Sequence, residues 1–217
     1  MKHLKGIRFY KNDLPSELLT DEVLSKPVAI DTETTGLSHV HHRLCLVQLC
    51  WGDGVCHLVQ IDRKLQPAPN LIKLLRQDSD KLFHFARFDV ARLYQTFGVL
   101  PLGFIYCTKI ASRIARTSTD RHSLGELTRS LLGIDISKAE QSSYWGAEVL
   151  TDSQKSYAAA DVLYLHQIRD KLNQMMEREG LYDLFKVTCD FIRGRVLLDA
   201  AGYQIDIFAH HIPRSFG

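Results

Sequence analysis

The chain has 217 residues, with 27 Lys plus Arg against 25 Asp plus Glu and a formal net charge of +2. A hydrophobic share of 45% and a charged share of 24% describe ordinary globular composition, enough for a core of two or three layers. The near balance of charge excludes a protein-wide field that would draw nucleic acid, so any such partner must be met by a local basic patch.

No apolar run approaches the ~20 residues that a membrane-spanning helix needs. The opening MKHLKGIRFYKNDLP lacks the apolar stretch of a signal peptide. Five cysteines (Cys45, Cys50, Cys56, Cys107 and Cys189) include no C-x-x-C pair, and buried reduced thiols are the expectation. A soluble cytoplasmic protein with no membrane partner is expected.

In chain order, Ile7–Tyr10 reads as a short strand and Pro15–Ser25 as a polar helix opened by Pro15. Val28–Glu33 is extended and rich in β-formers. A loop follows over Thr34–Arg43. Leu44–Trp51 and Val55–Ile61 are two further strands joined by Gly52-Asp53-Gly54, so the chain should start as an antiparallel three-strand meander. The pattern then alternates. Pro69–Gln77 is a predicted helix, Lys81–Phe85 a strand, Ala86–Phe97 a helix stopped by Gly98, and Phe104–Cys107 a strand. Thr108–Arg116 and Ser123–Leu132 are predicted helices, the second with Ser123 and Glu126 at capping-box spacing. A long helix is predicted over Ser153–Glu179, ended by Gly180, and a last one over Leu184–Leu198. The fold class is therefore α/β, a mixed sheet flanked by helices.

Residues two apart in a strand face one side, so Asp31 and Glu33 point together at the end of their strand. In the long helix the apolar stripe Leu165, Ile168, Leu172, Met175 extends back one turn to Asp161 and a second to Tyr157. A carboxylate at the buried end of such a stripe is costly unless it is paired or bound to metal. Ala158, Ala159 and Ala160 would let that helix approach the sheet closely. Asp89 falls in the first turn of Ala86–Phe97, where it would complement the helix dipole or face the sheet edge. Taken together these are four acids from one strand and two helices. Oxygen ligands without His or Cys suit Mg²⁺ or Mn²⁺, and two such ions about 4 Å apart can activate a water and stabilise a leaving oxygen.

Val28–Leu37 (VAIDTETTGL), Phe83–Asp89 (FHFARFD) and Tyr157–Asp161 (YAAAD) resemble the three exonuclease motifs of the DEDD superfamily, and Ser123–Trp145 resembles ribonuclease D. Tyr157, four residues before Asp161, and Ser156, five before, match the tyrosine branch of that superfamily. The resemblance implies a ribonuclease H-like fold. It also implies a 3′→5′ exonuclease in which Asp31, Glu33, Asp89 and Asp161 hold two divalent ions and Tyr157 holds the attacking water. A phenol with a pKa of about 10 is a better orienter than a base at neutral pH. Thr34 would meet the terminal 3′-hydroxyl and Leu37 would wedge against the last bases. His84, Phe85, Lys138 and Gln141 are the other candidate substrate contacts. Phe85 departs from the family, which often has Asn after the motif histidine. Ribonuclease D also commonly carries helical nucleic-acid-binding domains, for which the residues after 180 are too few.

The expectation is one exonuclease domain over 1–217, with motifs in about 25–180 and a helix and tail over 181–217 packed on it. It would act on single-stranded 3′ ends, RNA above DNA, as a monomer releasing nucleoside 5′-monophosphates. A DNA-trimming exonuclease is the alternative within the same chemistry; a catalytically silent nucleic-acid-binding module is the alternative of another class. Lys109, Arg113, Arg116, Arg121, His122 and Arg129 are candidate phosphate contacts or a solvated face. Phe85, Phe88, Tyr144 and Trp145 are candidate base-stacking or core residues. His39, His41 and His42 have no Cys or acid at zinc-ligand spacing, so no zinc site is expected.

Overall fold

A computed structural model describes residues 4–36, 42–64, 66–137, 139–140, 142–203 and 205–210. The candidate residues Leu37, His39, His41, Lys138 and Gln141 lie outside the described residues.

Six strands form one sheet: β1 (Gly6–Lys11), β2 (Val28–Thr34), β3 (Leu44–Cys50), β4 (Val55–Gln60), β5 (Lys81–Phe83) and β6 (Ile105–Cys107), in the order β1-β4-β3-β2-β5-β6. The pairs β2–β3 and β3–β4 are antiparallel, which is the meander expected from the Gly-Asp-Gly turn. β5 and β6 then add in parallel on the far side of β2. β2 is thus where the antiparallel half of the sheet meets the parallel half. β1 pairs in parallel with β4, a partner that its own residues do not announce. β3 is buried at all seven positions, as a strand covered on both faces must be.

Eight α-helices surround the sheet among the described residues. The predicted helix over Pro15–Ser25 is instead a 3-10 turn, Ser16–Leu18, and the single turn α1 (Asp21–Leu24). Thr20 separates them: its backbone is extended (φ −66°, ψ 158°) and its hydroxyl accepts from Val23 N–H, an N-cap in the middle of the expected helix. α2 (Pro69–Leu75), α3 (Ala86–Phe97), α4 (Thr108–Ala115) and α5 (Leu124–Leu132) fall where their patterns put them. The capping box of α5 is half made. Ser123 accepts from Glu126 N–H, but the Glu126 carboxylate turns outward to pair with Arg129.

The long helix is two. α6 (Asp152–Leu163) opens on a full capping box between Thr151 and Gln154, and α7 (Leu165–Arg178) follows a break at Tyr164 (φ −105°, ψ −3°). No Pro or Gly marks the break. Residues 162–165 are all buried, and the bend lets α6 lie across β2, β3 and β4 while α7 packs on α4 and α5. Met176 rather than Met175 continues the buried stripe of α7. α8 (Tyr182–Ala200) packs on α3 and β6, and its outer face shows Leu184, Val187 and Phe191. All five cysteines are free and buried. No helix of the described residues is long and apolar enough to cross a membrane.

Ala158 and Ala159 are fully buried and Ala160 nearly so, and the Cys56 thiol donates to the Ala159 carbonyl at 3.4 Å. This confirms the close approach that three small residues allow. Ala159→Leu is expected to cost about 1–3 kcal/mol through overpacking. It should also lower activity in the folded fraction by lifting Asp161 from the sheet; urea denaturation and metal-dependent turnover of the same sample check both.

Candidate active site

β2 ends in a bulge, with a register shift between Glu33 and Thr34 against β3. Bulges re-aim side chains at strand ends, and here Asp31 and Glu33 leave the sheet toward α6. One carboxylate oxygen from each of Asp31, Glu33 and Asp161 lies within 4.8 Å of the others. Among the described residues this is the one group with the geometry to hold a metal ion. Tyr157 stands one turn before Asp161 on α6, with Trp145 packed against its ring at 6.1 Å between centroids. Trp145 is 3% exposed and belongs to a small core with Cys45, Leu46, Leu58, Leu150 and Ala158, so it supports Tyr157 rather than presenting a face to a base.

Asp89 reaches the same place from the other side of the sheet. Thr32, between the two acids of β2, points to α3 by strand alternation, and its hydroxyl donates to Asp89 Oδ1 at 2.7 Å. Asp89 is 2% exposed. The four carboxylates line one cleft of about 370 Å³ with His84, Phe85, Phe88, Lys109, the start of α5 and Tyr157. A larger groove of about 830 Å³, lined by Lys11, Arg43, Arg63, Tyr144 and Glu148 among others, holds none of them. The smaller cleft is the candidate site because it gathers the acids.

The electrostatics are those of crowded acids without a counter-charge. Among the described residues none of the four pairs with Lys or Arg. Burial pushes Asp31 up to about 7 and Glu33 up to about 10, the latter helped by Asp31, Asp161 and Asp89. Burial, then the Asp31 charge, raises Asp89 and Asp161 well above the usual carboxylate range. Burial and the neighbouring acids also raise the Tyr157 phenol. Three hard oxygen donors in mutual reach, held where ionisation is unfavourable, fit a divalent cation such as Mg²⁺ or Mn²⁺.

Two supporting residues escape a sequence reading. Gln48, the lone polar residue of LCLVQLC, is paired in register with Asp31 and donates to its Oδ2 at 3.2 Å. Its polarity inside an apolar strand is a signal that could have found it. Thr32 carries no such signal, since threonine is common in strands.

The other candidates divide. His84 lines the cleft, with burial and then Lys109 driving its pKa down to about 3. Phe85 lines it too, 44% exposed and in a left-handed backbone (φ 70°, ψ 45°) that costs a bulky residue roughly 1–2 kcal/mol. Thr34 is buried, and its hydroxyl donates to the Gly36 carbonyl. A Cβ on Gly36 would meet the His42 ring at 2.7 Å, so only glycine permits that approach. His42 contacts Thr35 at 3.3 Å. Of the described lysines and arginines, Lys109 alone lines the cleft; Arg129 is paired with Glu126 and His122 contacts Ser112. Tyr144 is 67% exposed and lines the larger groove.

The chain matches known proteins. A 3′-5′ exonuclease family model covers residues 8–177. The chain belongs to the 3′-5′ exonuclease family. Its relatives identify it as a DEDD-type, ribonuclease D-like member. Ribonuclease D of Gluconacetobacter diazotrophicus is 35% identical over 156 residues, 72% of this chain and 39% of that protein. DNA polymerase I of Aquifex aeolicus is 33% identical over 196 residues, 82% of this chain and 32% of that one. The chain therefore spans well under half the length of these curated relatives. A solved structure of Brucella melitensis NrnC bound to pGG is 48% identical, with a TM-score of 0.89 over 95% of this chain and 99% of that one. NrnC with bound Mg²⁺ is 47% identical, with a TM-score of 0.87 over 95% of this chain and 100% of that one. The mixed sheet with flanking helices is the fold of these NrnC structures.

Asp31 holds its proton to about pH 7 in the folded chain but releases it near 3.8 when unfolded. Metal-free folded protein should thus lose stability as pH rises through that interval, because only the unfolded chain has shed the proton. Denaturation in EDTA across pH 4–8 should show the loss, Mg²⁺ should reverse it, and Asp31→Asn should reduce it. A metal-free stability that rises steadily over this range would contradict the crowding. Separately, Gln48→Met should lower metal affinity or turnover about 10–100-fold with the fold retained, as loss of a ligand-orienting partner does; metal titration and circular dichroism check it.

Proposed function

We propose that this chain is a 3′→5′ exoribonuclease that binds two divalent ions and hydrolyses single-stranded RNA from its 3′ end, releasing nucleoside 5′-monophosphates. The observation that carries the reading is the trio of carboxylate oxygens from Asp31, Glu33 and Asp161 at the end of β2. These three residues would hold one ion. Asp31 would be shared with the second, and Asp89, turned toward Thr32, would act on it through water. Mg²⁺ or Mn²⁺ would supply an acidified water and stabilise the leaving 3′-oxygen.

The chain's own groups have separable tasks. Tyr157 keeps its phenol proton at neutral pH because burial and Asp161 disfavour the phenolate. It therefore orients the attacking water by a hydrogen bond and does not abstract a proton. His84 stays neutral. The Thr108 hydroxyl gives its single proton to the Phe83 carbonyl at 3.1 Å and so must accept from His84 Nδ1 at 2.9 Å. That tautomer leaves Nε2 as an acceptor on a ring that lines the cleft, matched to a sugar hydroxyl of the terminal nucleotide. Thr34, Leu37, Lys138 and Gln141 complete the proposed substrate contacts.

RNA is favoured by the pGG held by the NrnC relative and by the ribonuclease D relatives. The match to a DNA polymerase keeps a DNA reading open. α8 packs on α3 and β6, which supports carrying the single domain proposed for 1–217 at least through Ala200, and five buried thiols suit a reducing cytoplasm.

The deciding experiment compares 5′-labelled RNA and DNA single strands of equal sequence with Mg²⁺ or Mn²⁺. RNA should shorten stepwise from its 3′ end. Asp31→Ala should abolish this, and Tyr157→Phe should slow turnover about 10²–10³-fold, the range for losing one positioned hydrogen bond, while metal uptake persists. Undiminished hydrolysis by Asp31→Ala would falsify the assignment, and faster loss of the DNA would transfer the proposal to DNA.

A further inference from the structure

Phe85 does something that its backbone position does not require. It sits between β5 and α3 with φ 70°, one of two non-glycine residues of positive φ among the described residues. The tight turn from strand to helix needs that left-handed residue. Asn or Gly would provide it without the steric conflict of a bulky side chain, and Asn is the residue most tolerant of αL after Gly. A phenylalanine kept in a strained backbone at a cleft suggests that its ring serves the cleft.

The surroundings say what it would serve. The ring is not core, being 44% exposed at the wall of the carboxylate cleft. Lys109 from α4 places its Nζ 4.3 Å from the ring centroid, a cation–π contact. Lys109 makes no ion pair among the described residues, although four carboxylates line the same cleft. The cleft therefore offers a half-exposed aromatic ring with an ammonium over one of its faces, and that ammonium makes no ion pair among the described residues. A nucleotide has the complementary pair: a flat base and a phosphate. Resting on the reading of the cleft as an exonuclease site, we propose that Phe85 and Lys109 form the seat of the 3′-terminal nucleotide, Phe85 stacking on its base and Lys109 meeting its phosphate.

Stacking on an aromatic face is tolerant of base identity, since every base has a π-face. The seat would accept any 3′-terminal nucleotide and reject an end that lacks a base. It would act through binding, because neither residue supplies a proton or a metal ligand.

The test uses the full chain and fluorescent RNA trinucleotides with an intact or an abasic 3′ residue. Binding is read by anisotropy with Ca²⁺ replacing Mg²⁺, and turnover is read separately with Mg²⁺. Wild type should bind the intact end at least 10-fold more tightly than the abasic one. Phe85→Asn should melt at a higher temperature than wild type yet bind the intact end about 10-fold more weakly, with kcat little changed and no further loss on the abasic end. Phe85→Leu, which keeps bulk without the π-face, should show the same binding loss. Lys109→Gln should weaken both ends and flatten the salt dependence. Equal binding of intact and abasic ends by wild type, or unchanged binding by Phe85→Asn and Phe85→Leu, would overturn the seat. So would a Phe85→Asn penalty that persists on the abasic end. Binding without hydrolysis in the wild type would instead refute the exonuclease reading while leaving the seat in place.

Discussion

Acidic groups that share a partly buried space repel one another, and the end of β2 brings three of them within one ion's reach. Burial and repulsion favour keeping their protons unless something positive takes the protons' place, and no lysine or arginine among the described residues does so. The surrounding architecture follows from holding that arrangement fixed. The bulge at Glu33–Thr34 turns the strand end, the three alanines bring α6 down onto the sheet, and the capping box at Thr151 sets where α6 begins. An uncompensated charge cluster would normally be relieved by a small outward movement. Here α6 is tied to β4 by the Cys56 thiol and backed by the Trp145 core, which leaves little room for that.

β2 works on both faces at once. Asp31 and Glu33 address α6, while Thr32 between them addresses Asp89 on α3. The strand is therefore the common reference for acids that arrive from two layers, and Gln48 on the adjacent strand fixes the angle of Asp31. Fine adjustment by neutral polar groups suits this place, because another positive charge would compete with any cation for the acids.

Much of the fold was legible because its signals are local. Period-two alternation showed that Asp31 and Glu33 share a side, the Gly52-Asp53-Gly54 turn showed the meander, and Gly98 and Gly180 marked helix ends, where both have left-handed backbones. The parallel pairing of β1 with β4 was not legible, since a strand's own residues do not name a distant partner. The break at Tyr164 was hidden for a similar reason: it arises from packing on two different layers, without a Pro or Gly to mark it. Carrying one helical phase through that point still reached Asp161 and Tyr157, because those two lie together within α6 and their four-residue spacing holds there. At the site, residue types that carry charge were visible and those that position them were not. Thr32 looks like any strand threonine. Phe85 stood out as a departure from the family motif and as one of four candidate stacking aromatics, but the dihedral angle that singles it out is displayed by no sequence pattern.

The break between α6 and α7 also bears on when the site can exist. β2, β3 and β4 follow one another in the chain, whereas Asp161 arrives only after β5, α3, β6, α4 and α5. Contacts between distant segments carry the larger loop-closure cost and tend to form late. A chain emerging from the ribosome can build its meander and expose Asp31 and Glu33 well before α6 is available to cover them. The order of synthesis thus withholds Asp161 from the nascent chain until α6 is made, and the acids gather only once that helix can dock on the sheet.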